Sequence, residues 1–95
     1  MELNDFETLV GTAFDVRLGD RNVSLRLEKA EELPSHSRGG RGQSTSFSLL
    51  FAGPAGTPLW QGTFRLEHSH AAPADIFIVP VAQKNDTLLY EAVFN

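Results

Sequence analysis

The chain contains no cysteine, which removes disulfides, thiolate metal ligation and thiol nucleophiles from the chemistry open to it. Positive charge is also short: eight Lys and Arg stand against twelve Asp and Glu, a net charge of -4, and the basic residues are scattered. Nucleic-acid binding draws on clustered cations, so a polynucleotide is not the expected partner. No apolar run approaches the ~18 residues that a membrane helix needs. Met1-Glu2-Leu3-Asn4-Asp5 has neither the basic start nor the apolar stretch of a secretion signal. These features lead to the expectation of a cytoplasmic protein with no membrane partner.

What the chain does have is a supply of core. Apolar residues make up 41% of its 95 positions, seven of them Phe, and a chain this long buries roughly two thirds of the surface its unfolded form exposes. That suffices for one interior, so residues 1–95 are expected to form a single β domain. Phe14, Val16 and Leu18 alternate with Asp15 and Arg17; after Gly19-Asp20-Arg21-Asn22, Val23, Leu25 and Leu27 alternate with Ser24, Arg26 and Glu28. Period-two alternation around a turn is a hairpin with one wet face. Further strands are expected at about 46–52 (Phe47, Leu49 and Phe51 on one side), 59–67 (Trp60, Phe64 and Leu66 inward, with Gly62 allowing a bulge or close approach), 76–81 and 88–94. The strands at 46–52 and 59–67 are expected to pair, and Pro80 suggests that the fifth strand is at an edge or ends there.

Asn4 and Glu7 have the spacing of a capping pair, Phe6, Leu9 and Val10 share a helical face, and Gly11 offers a left-handed stop. The reading is a short helix over 5–10, too brief to stand alone and therefore docked on the sheet. Residues 31–45 carry Pro34, Gly39, Gly40 and Gly42 among Ser and Arg, with no large apolar side chain after Leu33, and read as a mobile loop. The other connections are too short for a helical crossover, so the strands should be antiparallel. The expected fold is mainly β: six antiparallel strands in a small barrel or a roll, with a short N-terminal helix.

The strings Phe47-Ser48-Leu49-Leu50-Phe51 with Gly53-Pro54, Gln61-Gly62-Thr63-Phe64-Arg65-Leu66-Glu67-His68, Phe77-Ile78-Val79-Pro80-Val81 and Tyr90-Glu91-Ala92-Val93-Phe94-Asn95 resemble a family of small, stand-alone bacterial proteins of unknown function. The similarity also covers Leu9-Val10-Gly11 and Phe14 to Leu18. Genes of that family are often found beside genes for phage-tail-collar-like proteins. The resemblance therefore implies an accessory role in a fibrous or tail-like assembly, and it brings no catalytic residues with it.

His68-Ser69-His70 is the nearest approach to a metal motif, because imidazoles two residues apart on an extended segment project the same way. A site would need further ligands, and His36 is the one other His. No Gly-x-Ser-x-Gly elbow is present, Glu31 and Glu32 read as a solvated pair, and Gly53-Pro54-Ala55-Gly56-Thr57 lacks the Lys of a phosphate loop. Arg38-Gly39-Gly40-Arg41-Gly42 supplies too few cations for a polyanion site. The expectation is a protein that is not an enzyme and needs no metal or cofactor. A small-ligand or metal-binding barrel and a weak nucleic-acid-binding barrel are the alternatives.

The stronger signal is surplus apolar surface. The fifth strand is apolar on both faces, Ile76 and Ile78 against Phe77, Val79 and Val81, and in the sixth Leu89 and Val93 oppose Tyr90 and Phe94. A protein partner or self-association is expected to cover one of these faces. The candidate contacts are Leu50, Ile76, Ile78, Leu89 and Val93, with Tyr90 and Trp60 as anchors. The last strand would pair with another chain if it lay at an edge.

Overall fold

A closed wall of six antiparallel strands surrounds one apolar interior. The structure, a computed structural model, describes residues 2–34 and 46–95. Helix α1 (Leu3–Glu7) is followed by β1 (Ala13–Leu18), β2 (Arg21–Glu32), β3 (Phe47–Pro54), β4 (Gly62–His68), β5 (Ala71–Lys84) and β6 (Thr87–Phe94). Around the barrel the order is β1-β2-β3-β6-β5-β4. Two meanders, β1-β2-β3 and β4-β5-β6, are therefore joined along β3–β6 and along β4–β1. The first junction runs from Phe47↔Phe94 to Pro54↔Thr87. The second is registered at Asp15↔Glu67 and Val16↔Leu66.

The long central strand of each meander makes closure possible. β2 pairs with β1 over Arg21–Arg26 and with β3 from Arg26 onward, shifting register between Leu27 and Lys29. β5 pairs with β4 up to Ile78 and with β6 from Val79 onward, shifting between Pro80 and Ala82. Each shift adds a residue to one strand and increases the local bend, which lets a sheet curl back on itself. Pro80 sits at such a shift opposite Tyr90, where a missing N–H is tolerated.

The expectation of six antiparallel strands with an N-terminal helix thus resolves to a barrel. Several details differ from the sequence reading. β3 and β4 do not pair, because β4 closes against β1. The connection over 55–61 instead crosses one end of the barrel. Neither β5 nor β6 is an edge strand, since each has two neighbours. Of the loop expected at 31–45, Glu31 and Glu32 belong to β2, and residues 35–45 lie outside the described residues. Gly62 has only ordinary contacts at the position a Cβ would take, with Phe64 ring atoms at 3.7 and 3.9 Å. The close-approach glycine is Gly53, where a Cβ would come within 2.5 Å of Leu25 Cδ2.

The helix is shorter and earlier than expected. Its start is held by the Glu2 N–H, which donates to Asp5 Oδ2 at 2.9 Å. Leu9 N–H then reaches Phe6 O and Thr12 N–H reaches Leu9 O, so Thr8 to Val10 are tight turns rather than helix. Gly11 takes the left-handed conformation, φ 89°. Phe6 is the buried residue of α1. It packs against Phe14, Phe47 and Phe94 with ring centroids 6.5, 5.9 and 5.8 Å apart, which caps the end of the barrel where β1 and β3 begin. Leu59, buried on the 55–61 crossover, caps the other end, and its N–H donates to the buried Tyr90 hydroxyl at 2.9 Å.

Candidate functional site

Side-chain alternation decides what the wall shows to water. On β3, Phe47, Leu49 and Phe51 are buried, leaving Ser48, Leu50 and Ala52 half-buried on the outside. On β6, Tyr90 and Ala92 point in, while Leu89, Glu91 and Val93 point out. On β5, Ile76 and Ile78 are buried, Phe77 and Val81 are each 50% exposed, and Val79 is half-buried. Because β6 lies between β3 and β5, these outward residues share one face. Leu50 and Val79 are registered with Glu91 on its two sides, and Ser48 and Ala52 with Val93 and Leu89. The face is an apolar field around a single carboxylate. Glu91 makes none of the ion pairs found among the described residues; those pairs lie on β1, β2, β4 and β5.

The candidate contacts divide accordingly. Leu50, Leu89 and Val93 lie on the outward face, Val93 half exposed. Ile76, Ile78 and Tyr90 do not: they are 1%, 0% and 0% exposed and form part of the core, so a surface role for them is corrected. The sequence left this open because both faces of the fifth strand are apolar. Trp60 is corrected in the other direction. Expected inward, it is 77% exposed, because Leu59 beside it takes the place in the barrel end and adjacent extended residues point to opposite sides. Phe77, Val79, Val81 and Glu91 complete the face and were not among the candidates; the alternation of β5, once Ile76 is known to be inside, identifies the first two.

Among the described residues, two concavities adjoining the wall bear on the site. One, of about 760 Å³, has Leu50, Ala52 and Leu89 as its floor, with Arg26, Glu28 and Lys84 among its borders. The other, of about 570 Å³, lies between α1 and the start of β5, with Phe6, Phe14, Leu66 and Ile76 beneath and Asn4 and Asp5 at its rim.

His68 closes β4, and His70 sits in the two-residue turn to β5 rather than on an extended segment. The His68 ring is fully engaged. Its Nδ1 accepts the His70 backbone N–H at 2.9 Å, which leaves the proton on Nε2, 2.8 Å from the Thr12 hydroxyl. That hydroxyl donates to Leu9 O at 2.6 Å. The ring thus fastens the β4–β5 turn to the segment after α1. His36, Arg38 and Arg41 lie outside the described residues. Among the described residues no group of three His, Asp or Glu side chains could hold a metal, and no helix is long and apolar enough to cross a membrane.

Fold and surface together define a small closed antiparallel barrel, capped at both ends and apolar on part of its outer wall. The chain belongs to the family described as "Domain of unknown function (DUF6916)", whose family model matches residues 1–94. No curated protein and no solved structure matches the chain.

Proposed function

We propose that the protein is a non-enzymatic interaction module whose contact surface is the outward face of β3, β6 and β5. The observation that carries this reading is the apolar field formed by Leu50, Leu89, Val93, Val79 and Phe77 around Glu91. Phe77, Val81 and Val93 are each half exposed on a protein with a separate buried core, and contiguous apolar surface of this kind is typical of docking sites. Glu91 specifies the occupant. Two copies stacked face to face would oppose their carboxylates at the centre, whereas a different protein presenting Lys or Arg within an apolar surface would satisfy both features. The setting implied by the family resemblance, accessory to a phage-tail-like or collar-bearing system, belongs to the same proposal.

Affinity capture from the native host tests it. Wild-type protein is compared with Val93→Asp and Glu91→Lys, each folded under the conditions of the assay. A partner held by the wild type and lost from both variants is the expected result. Retention of every partner by both variants would overturn the reading.

A further inference from the structure

Trp60 and the cleft beside α1 are at opposite ends of the barrel and have complementary chemistry. The chain's one tryptophan stands 77% exposed on the crossover between β3 and β4. It is not on a loose tip. The residue before it is buried in the barrel end with its backbone N–H on the Tyr90 hydroxyl, so the indole projects from an anchored base. Fixed aromatic side chains are the usual centres of binding energy, because little entropy is lost when they dock.

At the other end the barrel wall parts. β5 pairs with β6 only from Val79 onward, and no backbone hydrogen bond links α1 to Ala71–Ile78 among the described residues. The cleft of about 570 Å³ lies between α1 and this first part of β5, with Phe14 and Leu66 beneath. Phe6, Phe14, Leu66 and Ile76 make an apolar floor, its β5 side carries Ala71, Ala72, Pro73 and Ala74, and Asn4, Asp5, Thr8 and His70 are the polar residues of its lining. An indole is a large apolar body with a single N–H donor, which matches an apolar floor bordered by polar side chains.

We infer that the cleft receives Trp60 of a second copy, giving head-to-tail self-association. The two surfaces differ and lie at opposite ends, so the contact is heterologous and repeats from copy to copy into a ring or a filament. A tryptophan buries about 150–250 Å², well below the ~1,200 Å² of a stable standard interface; the association is weak and appears at high protein concentration. The outer wall takes no part in it, so this inference stands apart from the proposed partner surface.

The sole tryptophan is its own reporter. Between about 1 μM and about 1 mM protein, the emission of Trp60 should shift to shorter wavelength and the sedimentation coefficient should rise. Trp60→Ala, and Ala72→Phe to fill the cleft at an exposed position, should each remain monomeric with unchanged melting temperature. Mixed together, they should form a one-to-one pair that grows no further, since one retains the cleft and the other the indole. Val93→Asp should associate like the wild type. Constant emission and sedimentation across the range would overturn the inference, as would association that survives Ala72→Phe or a mixture that fails to pair.

Discussion

Two residues carry structural demands that their neighbours do not share. A Cβ on Gly53 would fall 2.5 Å from Leu25 Cδ2 and 3.5 Å from Tyr90 Cε1, and Leu25 is completely buried, so its side chain has little room to yield. Gly53→Ala should therefore cost about 1–3 kcal/mol by overpacking, measured as a lowered midpoint in urea with unchanged slope. Tyr90 offers the second case. Its hydroxyl accepts the buried Leu59 N–H, and Tyr90→Phe leaves that donor without a partner at a cost of about 1–3 kcal/mol. The same substitution should free the crossover, and the Leu59 amide should exchange with solvent much faster than those of β3. Neither demand was legible in the sequence: what lies against Gly53, and the partner of a phenol 31 residues away, both depend on tertiary placement.

At the scale of elements, alternation revealed the strands and the inward sets Phe14/Val16, Val23/Leu25/Leu27 and Phe47/Leu49/Phe51, because a half-wet wall forces period two on the side chains. It failed where both faces are apolar. Ile76 and Phe77 are equal candidates for the interior until the register with β4 places Ile76 opposite the inward-facing Phe64. Helix α1 was legible as an element but not in its bounds, since five residues carry too little pattern. It is held by Phe6, and Phe6→Ala should cost about 3–5 kcal/mol if the barrel stays closed around the void. Hydrogen exchange should then show residues 2–12 losing protection while the β3–β6 ladder keeps it. The outward face predicts a smaller effect: Val93→Asp should cost about 1 kcal/mol, because half of the Val93 side chain is already in water.

For the whole molecule, the consequential property is closure, and this was the least legible. Strand order depends on which distant segments meet, and adjacent strands in sequence are the natural first guess; β3 and β4 break that rule because the crossover carries the chain across the barrel end. The closing β1–β4 seam is the shortest ladder, registered at two positions. On its outer side is the exposed Arg17–Glu67 pair at 3.5 Å, which contributes little. Barrel opening should therefore start there. Amides of β1 and β4 facing that seam should exchange faster than those shared by β3 and β6, and high salt should barely change the difference. The proposed contact face depends on the same closure, since β3, β6 and β5 present one surface only if β6 lies between the other two.

Cross-strand nuclear Overhauser contacts in solution test closure most directly. The barrel predicts backbone contacts between Asp15 and Glu67 and between Val16 and Leu66, together with Leu50–Glu91 and Val79–Glu91 contacts across β6. An open roll with β3 beside β4 would instead give contacts between those two strands and none between Val16 and Leu66, and that result would contradict the account.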